Sequence, residues 1–186
     1  DDEYSAIPPW LRDQVEWTSQ EQVIQFIAAN LPTDLALVVR LHPHMRDKNK
    51  DNLQSWKKLE SDLAQGGMQV RFVWHNSTVN SYLLAACAEK VISHGSSIGA
   101  EAIYLGKESI CCGTALWSEV QGARCVMNFA ELREALETAC PISPDSILPI
   151  AHYWQNRGEP YQYFKSTGIY SGEFFDVDLF NDAQYL

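Results

Sequence analysis

Short apolar runs alternate with amphipathic segments along most of this chain, and that alternation restricts its fold more than any other feature of the sequence. The runs at 35–41 and 109–112 are nearly continuously apolar, which is typical of strands buried on both faces. The segment 51–63, which lies between them, carries its apolar residues at helical spacing instead. Because strand and helix alternate repeatedly, the sequence predicts an α/β fold, a Rossmann-like open parallel sheet with helices on both faces.

Local start and stop signals predict where each element begins and ends. Thr18 or Ser19 is the predicted cap of the first helix, Asn128 caps a later one, and Gly66 with Gly67 ends the second. The predicted helices span 19–30, 51–63, 80–88, 98–105, 129–138 and 143–155, and the predicted strands span 35–41, 69–74, 90–93, 109–112 and 124–127.

The sequence pattern changes after Pro141, where the regular spacing of apolar residues stops. Aromatic residues are then scattered among Gly and Asp, at Tyr161, Tyr163, Phe164, Tyr170, Phe174, Phe175 and Phe180. Such a run suggests a tail that packs over a surface. We therefore predict a Rossmann-like ligand-binding domain at 1–142. The region 143–186 is predicted to be a C-terminal helix and aromatic tail, which packs on this domain or on another surface.

The charge balance argues against nucleic acid as a partner. Lys and Arg number 14 against 24 Asp and Glu, which gives a formal net charge of −10. A nucleic-acid binder needs a basic face to neutralise phosphates. The densest basic run, 46–50, is short and contains Asp47, so it is interpreted as a solvated loop.

The cysteines and the apolar segments predict a cytoplasmic protein. The five cysteines are odd in number and form no Cys-x-x-Cys motif, which favours thiols in a reducing compartment over disulfides or zinc. No apolar run approaches bilayer length, so no transmembrane segment is expected. The chain opens on Asp1, Asp2 and Glu3, where neither a signal peptide nor an initiator Met is seen. This opening suggests a piece of a longer protein.

Polar residues follow the predicted strands where the strands end. The first strand runs into Arg40, His42 and His44, the second into 75–78, the third into 93–97 and the fourth into 113–114. Ligands of open α/β sheets bind at the carboxyl ends of the strands. This edge of the sheet is therefore the predicted binding site.

The third of these strand ends has the composition of a phosphate-binding turn. Gly95, Ser96 and Ser97 directly precede a helix, so backbone N–H groups, hydroxyls and the positive helix end come together. The alternative is ordinary helix capping, for which serine is a favoured residue. Glu101 follows and either accepts hydrogen bonds from ribose hydroxyls or sits as a carboxylate in the first helical turn.

Arg40 and His42 are predicted to direct positive charge at the same phosphate, because a departing phosphate is stabilised by a proton or a fixed cation. The alternative is a strand end with a satisfied histidine. His42 and His44 alternate on one strand, but no third ligand is near, so no metal site is predicted. His75 and His94 are weaker candidates that are expected to be packed, and the run at 111–112 is expected to be core with no nucleophile role.

These motifs, taken in order, resemble the bacterial capsule and surface-polysaccharide glycosyltransferase group. They are Arg40-x-His42-Pro43, Val79-Asn80-Ser81-Tyr82-x-Leu84, Gly95-Ser96-Ser97-Ile98-Gly99-x-Glu101-Ala102 and Gly106-Lys107. Their order is similar to that in the C-terminal, nucleotide-binding half of the group's two-domain GT-B fold. The stretch 153–174 also looks like the end of such proteins. The resemblance covers the chain from about Trp17 onward.

The resemblance implies a role for each matching residue. His42 would assist the departing nucleotide phosphate as the catalytic residue, and Ser96 and Ser97 would grip that phosphate. Glu101 would stand near the ribose. The residues lining the base or ribose pocket would be Asn80 and Ser81.

The implied activity is transfer of a sugar from a nucleotide-sugar to a surface or capsular polysaccharide acceptor. The His-Pro and Ser-Ser pairs are similar to those of bacterial transferases that use CMP-activated sugars, which implies a CMP-linked donor. No cofactor is implied beyond this donor substrate. The implied partners are the donor, the glycan acceptor and an N-terminal GT-B domain, and region 1–142 would be the nucleotide-sugar-binding domain. Two alternatives stay open: a CDP-polyol phosphotransferase of the teichoic-acid type, and a non-catalytic interaction module.

Overall fold

The computed structural model describes residues 13–42, 45, 50–157, 164–167, 172–174 and 177–178. The chain divides into two compact units, Asp1–Ile150 and Ala151–Leu186. In chain order the elements are α1 Gln20–Asn30, β1 Leu37–Arg40, α2 Lys50–Gln65, β2 Val70–Val73, α3 Ser81–Cys87, β3 Lys90–Ser93, α4 Ile98–Tyr104, β4 Glu108–Cys112, β5 Ala123–Val126, α5 Phe129–Glu137, a 3-10 turn Pro144–Ile147, α6 Leu148–Asn156, β6 Phe164–Ser166, β7 Gly172–Phe174 and β8 Val177–Asp178.

The predicted helices and strands of the first unit are confirmed, with ends that differ by a residue or two. The predicted caps Ser19 and Asn128 are confirmed, whereas α2 begins at Lys50, so that Asp51, which the sequence also suggested as a cap, lies inside the helix. Ser19 accepts a hydrogen bond from the backbone N–H of Gln22, and Asn128 accepts one from Glu131. The predicted helix 143–155 begins instead as the 3-10 turn, in which Pro144 occupies an early position, and continues as α6.

The strands of the first unit form two parallel sheets in the described part of the chain. β1 pairs with β2 from Leu37↔Val70 to Arg40↔Val73. β4 lies between β3 and β5 and pairs in parallel with both. The mixed α/β class with parallel strands is as expected, whereas the single open sheet is seen here as two smaller ones. In the second unit, β6, β7 and β8 pair antiparallel.

Helices cover both faces of the β3–β4–β5 sheet because successive residues of a strand point to opposite sides. Ile110 and Cys112 face a core that also contains buried residues of α1 and α5. Ser109 and Cys111 face the other side, where α4 packs against β4. All five residues of β4 are buried, as expected for a central strand with helices on both sides.

A second core lies against the β1–β2 pair. Val39 and Leu41 pack there with Trp56, Leu59 and Leu63, the apolar stripe of α2. Full burial of such a side chain contributes about 1.5–3 kcal/mol, so this stripe holds α2 on the sheet. Leu37 packs against both cores and connects them.

A buried ion cluster joins the amino-terminal ends of β3, β4 and β5. The Glu108 carboxylate is only 3% exposed and lies 3.2 Å from Lys90 Nζ and 3.3 Å from Arg124 Nε. Lys90 Nζ also donates to the carbonyl oxygens of Ala135 (2.6 Å) and Thr138, at the end of α5. A cation at a helix C-terminus is favourable, so Lys90 fixes α5 as well as the strands.

The aromatic tail lies largely outside the described residues, as do Tyr161, Tyr163, Tyr170, Phe175 and Phe180. Phe174 ends β7 and is 44% exposed. Where the tail packs therefore stays a prediction, as does the boundary between 142 and 143.

The structure offers no candidate for a membrane-crossing helix among the residues it describes, because none of their helices is both long and apolar enough.

Candidate functional site

Arg40 ties the carboxyl ends of β1 and β2 together. Its Nη1 donates to the carbonyl oxygens of Leu41 at 3.0 Å, Val73 at 3.3 Å and Trp74 at 2.7 Å. Its Nε lies 3.4 Å from the hydroxyl oxygen of Ser81, to which it donates. The predicted phosphate-binding arginine is thus a half-buried cation, fixed by backbone oxygens, at the point where two strands and a helix meet.

Asn80 and Ser81 lie at the start of α3. Asn80 Oδ1 accepts hydrogen bonds from the backbone N–H groups of Tyr82 at 2.8 Å and Leu83 at 3.2 Å, so it caps the helix. This capping role was not part of the sequence-based prediction. Ser81 is half-buried, and its hydroxyl oxygen is the group that accepts from Arg40 Nε.

His42 follows β1 and is exposed. Its carbonyl oxygen accepts a hydrogen bond from the backbone N–H of Met45 at 3.0 Å, and the Met45 side chain is buried in the second core. The loop after β1 is therefore anchored on both sides of the predicted catalytic residue. Pro43 and His44 lie outside the described residues.

The turn 95–97 joins β3 to α4 and requires glycine at its first position. Gly95 has a φ of +78°, and a Cβ there would lie 3.0 Å from the carbonyl oxygen of Thr114. Ser96 and Ser97 are exposed. Ser97 occupies the cap position of α4 with a helical backbone, and its side chain makes no capping hydrogen bond. The capping alternative therefore does not describe Ser97.

Glu101 lies in the first turn of α4 and is partly buried. Burial raises the pKa of the Glu101 carboxyl, because the charged form is disfavoured away from water. The backbone N–H of Glu101 donates to the carbonyl oxygen of Ser97 at 3.1 Å, so Glu101 lies one helical turn after this serine.

His75 and His94 are packed, as expected for the weaker candidates. Each has a buried Nδ1 without a hydrogen-bond partner. Burial lowers the pKa of His94 to about 4, although a hydrogen bond to the backbone of Cys112 opposes the shift. His94, which directly precedes the turn 95–97, is therefore a neutral polar group near pH 7.

The structure brings some of the predicted residues together through α3. Arg40 contacts Ser81 at the start of α3, and α3 packs against α4, whose first residues carry Ser97 and Glu101. The described contacts link the end of β1 to the start of α4 through α3, and they show no direct contact of Arg40 with Ser96, Ser97 or Glu101. We define the candidate site as these two strand ends with α3 and α4.

Sequence reasoning missed two features beside this site. The first is the contact of Trp117 with α4, which forces glycine at position 99. The second is Cys125, which lies opposite Cys111 in the parallel register of β4 and β5. Both depend on contacts between segments that are distant along the chain, so no local sequence pattern predicts them. The assignment of 111–112 to the core is confirmed, since both side chains are fully buried.

Within the described ranges, no cluster of three or more His, Cys, Asp and Glu side chains is arranged to hold a metal ion. No family model, curated protein or solved structure matches this chain.

Proposed function

We propose that this chain is the C-terminal, donor-binding half of a bacterial glycosyltransferase of GT-B architecture, and that its Rossmann-like unit holds the phosphate of a nucleotide-sugar. The proposal rests on one observation: Ser97 occupies the cap position of α4, but its hydroxyl makes no capping hydrogen bond. An exposed hydroxyl beside the first N–H groups of a helix is suited to binding an anion.

In the proposed reaction, the bond between the sugar carbon and the phosphate oxygen breaks and negative charge collects on the departing phosphate. Ser96 and Ser97 donate hydrogen bonds to that phosphate, and His42 supplies a proton or a positive charge. Donors that are already fixed where charge develops lower the barrier, because they need no reorganisation. The acceptor, a surface or capsular glycan, enters from the N-terminal domain of the parent protein.

Two residues take more specific roles in this proposal. Arg40 is held by three backbone carbonyls, so its positive charge has a fixed position at the end of β1. Asn80 Oδ1 is engaged by α3, so Asn80 meets the base or ribose through its amide Nδ2. Glu101 accepts from the ribose hydroxyls.

A cytoplasmic location belongs to the same proposal. Its support is that all five cysteines are unpaired thiols, as expected for a reducing compartment.

Isothermal titration of the chain with CMP, UDP, GDP and inorganic phosphate tests the proposal. We expect one nucleotide, CMP first among them, to bind with a measurable heat. Ser97→Ala should weaken that binding by about tenfold or more, because a hydrogen bond to a charged group is worth roughly 1.5–3 kcal/mol. His42→Ala should weaken it as well.

Ser61→Ala is the matched control, because Ser61 is an exposed serine on α2, away from the strand ends. Its affinity should equal that of the unmodified chain. Equal and weak heats for every nucleotide, or the same loss in Ser61→Ala as in Ser97→Ala, would remove the donor-site proposal. Binding of inorganic phosphate alone would reduce it to an anion site.

A further inference from the structure

Cys111 and Cys125 form a pair of thiols that the proposed function does not use. They are direct partners in the parallel register of β4 and β5. Side chains of directly opposed residues point to the same face of a sheet. Neighbouring strands lie about 4.8 Å apart, which is within the Cα separation of about 4.4–6.8 Å found for disulfides.

The register therefore places the two thiols side by side. A hydrogen bond between them raises the pKa of Cys111 far above its usual range and lowers that of Cys125. The backbone of Ala115 and the side chain of Ser118 add hydrogen bonds that favour the Cys125 thiolate, whereas burial and the Glu119 carboxylate oppose it.

Exposure gives the two sulfurs different roles. Cys125 is half-buried and open in part to small solutes, whereas Cys111 is completely buried. Cys112 is equally buried, but it alternates to the opposite face of β4 and pairs with Val126, so it cannot reach Cys125. A partly accessible thiol with a second thiol opposite it on the neighbouring strand is the arrangement of an attacking and a resolving cysteine.

We propose that Cys125 and Cys111 are an oxidisable dithiol, which a peroxide converts to a disulfide between β4 and β5. The Cys125 thiolate attacks one peroxide oxygen, so an S–O bond forms, the O–O bond breaks, and hydroxide leaves and takes up a proton. The Cys111 thiol then attacks the sulfenic sulfur, so the S–S bond forms and the S–O bond breaks. The hydroxyl departs as water with the Cys111 proton. Overall, two thiols are oxidised and one hydrogen peroxide is reduced to two waters.

The disulfide would form beside the end of β3, because Cys111 is the direct partner of Ser93 in the parallel register of β3 and β4. β3 leads into the turn 95–97, so the oxidised pair would lie next to the strand that carries this turn. The proposed oxidation of Cys111 and Cys125 does not depend on which ligand the turn binds.

Peptide mapping of the peroxide-treated full chain tests the proposal. Cys87→Ser serves as the background, because Cys87 is an exposed thiol that could link two molecules. After treatment with limiting hydrogen peroxide and blocking with N-ethylmaleimide, trypsin should release peptide 108–124 joined to peptide 125–133, and a reductant should separate them. Absence of that linked species while Cys125 becomes oxidised would overturn the proposal.

Peptide 108–124 contains both Cys111 and Cys112, so variants are needed to show which of the two is linked to Cys125. Cys112→Ala should keep the link, and Cys111→Ala should abolish it and leave Cys125 as a sulfenic acid that dimedone traps. Cys111→Ser preserves side-chain volume and replaces Cys111→Ala if that variant does not fold. A link that survives loss of Cys111, or that disappears with loss of Cys112, would contradict the assignment.

Discussion

Gly99 shows how much a single position can determine at the residue scale. A Cβ at this position would lie 2.2 Å and 2.5 Å from ring atoms of Trp117 and 2.7 Å from Ser109 Oγ. Trp117 and Ser109 are themselves buried, so neither can move aside without disturbing the core. The glycine is therefore required by the close approach of α4 to β4, the contact that fixes the start of α4.

We expect Gly99→Ala to lower the free energy of unfolding by about 3 kcal/mol or more, because overpacking a rigid core forces backbone or side-chain shifts. Chemical denaturation of the purified variant measures this. Gly106→Ala is the control: Gly106 has a φ of +73° but an open space around its Cβ position. Backbone strain alone should cost that variant about 1 kcal/mol. Equal losses in the two variants would contradict the steric explanation.

At the scale of elements, the buried ion cluster holds β3, β4, β5 and the end of α5 in one arrangement. Glu108 is the shared carboxylate, and its Oε2 also accepts from the backbone N–H of Cys140 at 3.4 Å. Loss of one member of a buried ion pair leaves the others with uncompensated charge. The cluster is therefore sensitive to any single neutral replacement.

We expect Glu108→Gln to lower the free energy of unfolding by about 3 kcal/mol, since both Lys90 and Arg124 lose their counter-charge. Urea denaturation measures the loss. Glu173→Gln is a matched control, because the Lys165–Glu173 pair is 3.9 Å apart and its lysine is 78% exposed. Such surface pairs contribute about 0–1 kcal/mol. A Glu108→Gln variant as stable as the control would show that the cluster is unimportant for stability.

The helices and strands could be predicted because local patterns determine them: caps such as Ser19 and Asn128, apolar runs and helical spacing. The pairing of the strands could not be predicted, because the division into β1–β2 and β3–β4–β5 depends on contacts between segments distant along the chain. Some features of the candidate site could likewise be predicted from local sequence, and others could not. The place of Ser97 at a helix start follows from neighbouring residues, whereas the carbonyl contacts of Arg40 require the end of β2 to be beside it.

At the scale of the whole molecule, the first unit contains both described cores. Their residues extend from Val15 to Leu136, so none comes from the second unit. The stability of the first unit is therefore expected to come from its own residues.

We expect a chain that ends at Arg157 to unfold at nearly the same temperature as the full chain, because it retains every residue of the two cores. Differential scanning calorimetry of the two chains measures this, and gel filtration compares their sizes. A midpoint lower by about 10 °C, which corresponds to roughly 3 kcal/mol at this length, would mean that residues 158–186 stabilise the first unit.

The ion cluster and the turn 95–97 lie at opposite ends of the same strand, since β3 begins at Lys90 and leads into Gly95. Changes to the loops after β3 and β4 leave the ionic contacts at the other end untouched. The unit is thus a suitable host for directed evolution. Libraries that randomise 96–97 and 114–116 are expected to yield folded variants from which ligand binders can be selected, because the ion cluster at the other end of the strands is left unchanged.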